Sequence, residues 1–254
     1  MNKIFDTHAH YDDEQYDVDR DYLLNLLYNN GINKIANISY DRKSILKSVE
    51  LANMYDFLYA VIGYHPCDCA GINENNYSEI EALARNKKVV AIGEIGLDYY
   101  WKDVKKEEQQ RCFIEQMDLA KRLNMPFVVH SRDAAQDTYN LVKSYGNGKG
   151  IIHCFSYSKE VARDFINLGY YIGIGGVLTF KNSKHIKEVV EYIPLEKIVL
   201  ETDAPYLSPE PYRGKRNSSA YLTYVVDKIA EIKNVSRAEV CDITYNNAMR
   251  VYEI

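Results

Sequence analysis

No stretch of this 254-residue chain approaches the roughly 18 consecutive apolar residues that a membrane-spanning helix needs. The opening MNKIFDTHAH has no basic run followed by an apolar one, so no secretory signal peptide is expected. Cysteine is sparse: the five residues are odd in number and scattered, which argues against a disulfide framework and for a reduced, cytoplasmic protein. The six prolines do not cluster, and no Pro/Gly/Ser-rich linker or charge block divides the chain. One domain over residues 1–254 is therefore expected, large enough to bury a core without staples. An excess of positive charge is also missing. Lys and Arg total 31 against 36 Asp and Glu, for a net charge of −5. Any binding of nucleic acid would have to rest on a local basic patch.

What the chain does have is a strand-then-helix alternation along its whole length. Short Val/Ile-rich runs predict strands at about 3–9, 32–38, 58–64, 89–94, 126–130, 150–154, 170–174 and 197–202. Amphipathic segments predict helices at about 19–30, 42–54, 77–86, 105–123, 134–144, 159–168, 184–192 and 219–233. A further helix closes the chain, with Ser236 as N-cap and Glu239 at the capping-box spacing. Eight strand–helix units fit an α/β fold, a (β/α)8 TIM barrel with an extra C-terminal helix. A doubly wound sheet alternates in the same way, but its strand ends spread along a line. Here the ends of strands 1, 3, 4, 5, 6 and 8 all carry chemistry, and a closed ring is what brings that many together.

That chemistry is imidazole and carboxylate. His8 and His10 in KIFDTHAH, His65 in GYHP, Glu94 in VVAIGE, His130 in PFVVH, His153 in GIIH and Asp203 in VLETD all follow apolar runs. Such groups are poor core residues unless something satisfies them, and a metal cluster is the simplest common partner. His8 and His10 share a face by alternation, suiting two ligands on one ion. Glu94 can bridge two cations through its two oxygens, and Gly93 and Gly96 beside it permit close backbone approach and a sharp turn beyond the strand. His130 and His153 end neighbouring strands and could hold a second ion with Glu94. Asp203 is placed to bind metal and to accept a proton from water. Glu201 shares its face, deeper, where it would orient a ligand histidine. His65 is expected to contact substrate phosphate or support the ligands. Cys154 should face the helices as a packing residue, and His185 should lie on the surface.

Beyond the last strand, PYRGKRN gathers Arg213, Lys215 and Arg216 around Gly214, a basic loop that suits a polyanion. Arg132, two residues after His130, is a further candidate for substrate contact. Tyr99, Tyr100, Trp101, Phe155, Tyr157, Tyr206 and Tyr212 fall on the same loops, where exposed rings could stack on unpaired bases or pack against their neighbours.

DTHAHYD, GYHP, GEIGLDYYW, PFVVHSRDA, HCFS, LTFKN, ETDAP and PYRGKRN, in this order, resemble the TatD family of metal-dependent deoxyribonucleases among the amidohydrolase-like TIM barrels. The resemblance covers essentially the whole chain. It implies two divalent cations, one held by His8, His10, Glu94 and Asp203 and the other by Glu94, His130 and His153. It also implies hydrolysis of DNA phosphodiesters, generally as a 3′→5′ exonuclease on single strands. The chain departs from the usual pattern at Tyr11 (commonly Leu), Cys67 (often His), Tyr157 (Gly) and Ser218–Ser219 (Glu-Pro), positions expected to line the loops and bear on substrate preference.

The function expected is thus a divalent-metal-dependent hydrolase acting on DNA, with Asp203 and Glu94 as catalytic groups. Mg, Mn, Zn, Co or Ni would suit mixed nitrogen and oxygen ligands. The same scaffold could serve a deacylase on esters, aminoacyl-tRNA among them, or amides. A non-catalytic binding protein would be expected to have lost at least one ligand. No membrane and no obligate protein partner is indicated.

Overall fold

The computed structural model describes residues 3–254; the first two residues of the domain expected over 1–254 lie outside the described residues. Eight strands run β1 Ile4–Ala9, β2 Ile32–Ile38, β3 Leu58–Ile62, β4 Val89–Asp98, β5 Phe127–Arg132, β6 Gly150–Ile152, β7 Tyr171–Ile174 and β8 Ile198–Leu200. They form one parallel sheet in the order β1-β2-β3-β4-β5-β6-β7-β8. Helices α1 Arg20–Asn29, α2 Arg42–Met54, α3 Glu74–Leu83, α4 Lys106–Arg122, α5 Ala135–Tyr145, α6 Lys159–Asn167, α7 Lys184–Tyr192 and α8 Leu222–Lys233 alternate with the strands, and α9 Arg237–Tyr252 follows. This is the expected (β/α)8 barrel with its extra C-terminal helix. No helix among the described residues is long and apolar enough to cross a membrane.

The helix ends follow local chemistry. Asp41 caps α2 in a capping box with Ser44, and Ser158 caps α6. The Ser236 hydroxyl accepts the Glu239 amide at 3.1 Å and starts α9 where the sequence places it. The core is apolar on both sides of the barrel wall. A smaller cluster joins Phe5, Ile38, Val61, Ala91, Val128, Ile151 and Val199 to Val251 and Tyr252 of α9. Its Tyr252 hydroxyl donates to the Thr7 carbonyl at 2.7 Å.

One boundary differs in a way that matters. β4 does not turn after Glu94 but runs on to Asp98. The glycines that suggested a turn serve close approach instead. A Cβ on Gly96, which has φ +147°, would lie 1.9 Å from the His130 carbonyl oxygen, and one on Gly93 would lie 2.9 Å from Val128 Cβ. β6 and β8 are shorter than expected, so His153, Glu201 and Asp203 sit just beyond strand ends.

The ring closes between β1 and β8 by a parallel bridge from Ala9 to Ala204. The Asp203 amide donates to the His8 carbonyl at 2.9 Å, and the His10 amide donates to the Ala204 carbonyl at 2.7 Å. Buried Asp6 staples this seam. Its Oδ1 accepts the His8 and Thr202 amides at 3.2 and 3.1 Å, and its Oδ2 accepts the Thr202 and Ser219 hydroxyls, each at 2.6 Å. Burial pushes its pKa from 3.8 up to about 7 against the pull of those four donors. Asp6→Ala would remove the shared acceptor, leaving the His8 amide without this bond and the Thr202 and Ser219 donors with only their longer alternatives, and is expected to cost about 1–3 kcal/mol in urea unfolding of the metal-free protein. The raised pKa has a sign as well. The folded chain keeps a proton that the unfolded chain releases, so this carboxyl contributes less stability as pH rises from 3.8 to about 7. Asp6→Asn should remove that component of the stability–pH curve.

Candidate metal centre

Six strand ends deliver their polar residues to one pocket of about 760 Å³, lined by His10, His65, Glu94, Asp98, His130, His153 and Asp203 among others. Glu94 lies at its centre, 4 % exposed. Its two oxygens face different partners. Oε2 lies 3.3 Å from His8 Nε2, whereas Oε1 lies 2.8 Å from His130 Nδ1 and 3.0 Å from His153 Nε2. Asp203 Oδ1 completes the first side, 3.4 Å from His10 Nε2 and 3.6 Å from His8 Nε2. The six residues proposed from sequence as ligands are therefore brought together.

Backbone contacts aim these side chains. His10 Nδ1 donates to the Ile38 carbonyl at 2.8 Å, which turns its Nε2–H toward Asp203 and makes Nε2 the atom left for a cation once that proton departs. Glu201 is held by the Cys154 amide, which donates to Oε1 at 2.5 Å, and its Oε2 lies 3.7 Å from His153 Nδ1. Gly173 makes room for that carboxylate: a Cβ there would lie 2.2 Å from Glu201 Oε2. His65 Nδ1 accepts the Cys67 amide at 3.2 Å, so the proton of its neutral ring sits on Nε2.

The charges are mutually dependent. Burial disfavours the Glu94 carboxylate, yet His153, His8 and His130 hold it well below the usual carboxylate range. Burial likewise opposes charge on His10, but Asp203 and Glu94 raise it to about 9. His130 and His153 are raised by their carboxylate neighbours against the same penalty. His8 alone among the six ligand candidates' imidazoles is lowered, by burial and by His153, whose ring stacks on it at 3.7 Å.

Four buried polar atoms here lack any hydrogen-bond partner: His8 Nδ1 and Nε2, His153 Nδ1 and Glu201 Oε2. Unpartnered buried polar atoms are rare and costly. A neutral imidazole with both nitrogens idle, beside a carboxylate oxygen, fits a site built for a cation. Candidate donor atoms within 4.8 Å of one another include the triads His8–His10–Glu94, His8–His153–Glu201, His65–Glu94–His130 and His65–Cys67–Asp98. His65 thus stands nearer the donor set than its expected supporting place.

Asp98 joins these residues although it follows no apolar run of its own. Its Oδ2 lies 3.1 Å from His130 Nε2, and its Oδ1 accepts the Tyr100 and Trp101 amides at 2.9 and 3.2 Å. The signal was available: in a strand continued past Glu94, residues 94, 96 and 98 share one face. Cys154 also differs. It lines a small cavity shared by Ile186 of α7 and by Glu201 and Asp203, so it borders the site as well as a helix. β6 has ended at Ile152 and Cys154 takes φ 44°, so strand alternation no longer applies.

The surrounding loops divide the remaining candidates. The Arg132 guanidinium lies over the Tyr100 ring at 3.9 Å, beside Trp101 at the mouth. Arg213 lies over Phe180 at 4.3 Å. Arg216 is instead engaged by Asp19 through two bonds of 2.8 and 2.6 Å and by the Gln15 carbonyl at 2.6 Å. Of the seven aromatics, Tyr100, Trp101 and Tyr206 are each 51 % exposed, while Tyr99 and Phe155 are buried, Tyr157 bonds Ser131, and Tyr212 stacks on Tyr221. His185 is on the surface. Tyr11 and Ser219 do not line the loops at all. Both are buried at the seam, where the Tyr11 hydroxyl meets Ser219 Oγ at 2.8 Å and accepts its amide at 2.9 Å.

A parallel barrel with histidines and carboxylates gathered at the carboxyl ends of its strands defines a metal-dependent hydrolase. The chain belongs to the TatD-related DNase family, whose sequence model matches residues 5–253. It is 42 % identical over 253 residues to the uncharacterized metal-dependent hydrolase YabD of Bacillus subtilis, covering 99 % of each chain. It is 32 % identical to the uncharacterized metal-dependent hydrolase YcfH of Escherichia coli, covering 99 % of this chain and 96 % of that one. The crystal structure of YjjV, a TatD homologue from Escherichia coli, superposes with a TM-score of 0.94 at 30 % identity, covering 100 % of this chain and 99 % of that one.

Cations entering this site must displace protons from imidazoles that hold them tightly, His10 with a pKa of about 9. Metal affinity is therefore expected to climb as pH rises toward 9. Calorimetric titration of the metal-free protein in two buffers of different ionisation enthalpy should show net proton release. A pH-independent affinity without proton release would contradict this picture.

Proposed function

We propose that this protein hydrolyses DNA phosphodiester bonds, working from the 3′ end of single strands, with two divalent cations that share Glu94. The observation that carries the reading is the division of Glu94: one oxygen faces His8, the other His130 and His153. On this reading His8, His10, Glu94 and Asp203 hold one ion, and Glu94, His130 and His153 the other. Two such cations would lower the pKa of a water and take up charge on the phosphoryl and leaving oxygens. Glu201 fixes His153 through its hold on the Cys154 amide, and Asp98 fixes His130.

Asp203 is the general base. Burial disfavours its charge, but His10 and the other imidazoles keep its pKa below the ordinary value, so it is ionised at neutral pH and ready to take a proton. His65 offers Nε2–H to a phosphoryl oxygen. Its burial and the neighbouring His130 push its pKa down to about 3, so it stays a neutral donor. DNA is favoured over a small ester by two cation–aromatic pairs, Arg132 on Tyr100 at the mouth of the metal pocket and Arg213 on Phe180 in the pocket beside it. Arg216, paired with Asp19, holds the loop that carries Arg213.

The direct assay is purified protein on end-labelled single-stranded DNA with Mg²⁺ or Mn²⁺, beside a panel of carboxylic esters. Stepwise shortening from the 3′ end is expected, and cleavage of esters alone would replace the nuclease reading with a deacylase. Asp203→Asn should lower kcat by about 10²–10⁴-fold with a much smaller change in DNA affinity. Glu94→Ala should lose both turnover and bound metal, read by elemental analysis; two ions per chain in that variant would remove Glu94 from the bridging role.

A further inference from the structure

A second pocket of about 540 Å³ opens beside the metal centre, and none of the candidate metal ligands lines it. Its volume lies within the range of about 300–1,000 Å³ usual for small-ligand sites. The two pockets have one residue in common, Tyr206, which stands as a partition between them. Their characters are opposite. The metal pocket includes Asp13, Asp68, Glu94, Asp98, Asp103 and Asp203. The second has no carboxylate in its lining and carries three cations, from Arg213, Lys215 and Arg216.

These three cations are not equivalent. Arg216 is neutralised by Asp19. Arg213 and Lys215 lie over the rings of Phe180 and Tyr212, at 4.3 and 5.9 Å, and neither forms an ion pair among the described residues. Their charges are free for a ligand anion. Opposite them stand Pro205, Leu207 and the ring of Tyr206. That ring is fixed although half of it is exposed: its hydroxyl donates to Asp13 Oδ2 at 3.1 Å, its amide to the Asp203 carbonyl at 2.8 Å, and its carbonyl accepts Asn217 Nδ2 at 2.6 Å. A held, open aromatic face beside unspent cations is the chemistry of a nucleotide, the base on the ring and the phosphate on the guanidinium.

We propose that this second pocket is a subsite for the nucleotide next to the one whose phosphate is cleaved, with Tyr206 as stacking partition and Arg213 as phosphate contact. The proposal rests on the reading of DNA as substrate. It commits the enzyme to a polymer: the strand passes over Tyr206, so one unit lies among the metal ligands and the next among the cations. Lys215 contributes charge at the rim, and Arg216 acts only through Asp19, holding the loop in place.

The test compares the metal-loaded full chain on bis(4-nitrophenyl) phosphate, a diester with no second phosphate to reach Arg213, with single-stranded oligonucleotides of increasing length. The readout is the ratio of kcat/KM for oligonucleotide to kcat/KM for the small diester. It is expected to rise once the substrate is long enough to span Tyr206. Arg213→Ala should lower that ratio about ten-fold through KM, and flatten the salt dependence of binding by a slope of about 0.7, the value for one lost contact to a single strand. Tyr206→Ala should lower the ratio as well, and Tyr206→Phe, which keeps the ring, should restore it to within two-fold of the native chain. Arg216→Ala should instead lower the melting temperature. Oligonucleotides cleaved with the native ratio by both alanine variants would overturn the subsite while leaving the nuclease reading intact. Hydrolysis of the small diester by a native chain that neither cleaves nor binds oligonucleotides, by fluorescence anisotropy in Ca²⁺, would overturn both.

Discussion

Closure of the strand ring between β1 and β8 is the constraint on which the rest of the molecule depends. His8 and His10 belong to the first strand end and Asp203 to the last, almost two hundred residues apart in the chain. They meet because the two strands exchange backbone hydrogen bonds at the seam. Asp6 fixes that seam from beneath by collecting four donors from β1, the turn after β8 and the start of α8's leading turn. A carboxylate so placed is costly to bury, and its raised pKa records that cost. It is tolerated because the alternative is an open barrel with half of the candidate ligands out of reach.

The site built on this ring is an arrangement of groups that cannot be stable singly. Carboxylates and imidazoles would each resist burial, and each shifts its neighbour toward charge. The pairing is incomplete, as the idle nitrogens of His8 show. That incompleteness separates a cation site from a closed salt-bridge network, in which every donor would already have its acceptor. Function and folding are thus set against each other at the barrel mouth, and the apolar packing of the strands and α9 underneath bears the difference.

Much of this was legible in the sequence because the fold repeats one rule eight times. A Val/Ile run followed by a polar residue marks a strand and its mouth-facing end, and applying the rule in turn finds His8, His10, Glu94, His130, His153 and Asp203. The rule failed where backbone geometry departed from it. Gly93 and Gly96 read as a turn, whereas they let β4 run flush against β5, and Asp98 was hidden by the misplaced strand end. The partner of a surface cation could not be read either. Arg213 and Arg216 look alike in PYRGKRN, and only the fold brings Asp19 to one of them.

Tyr11 and Ser219, two positions at which the motifs of the resemblance are not met, are in contact. The phenol is buried, its hydroxyl meets the Ser219 hydroxyl and accepts the Ser219 amide, and that serine in turn donates to Asp6. Leucine at position 11 would leave the Ser219 amide without its acceptor, although the Ser219 hydroxyl would keep its bond to Asp6. Proline at position 219 would leave the tyrosine hydroxyl without a donor and Asp6 one bond short. Neither exchange is neutral alone, while the two together swap one complete set of partners for another. The seam therefore ties the two positions together: whoever grafts a loop onto this barrel has to match residue 11 to residue 219, because each supplies the other's hydrogen-bond partner.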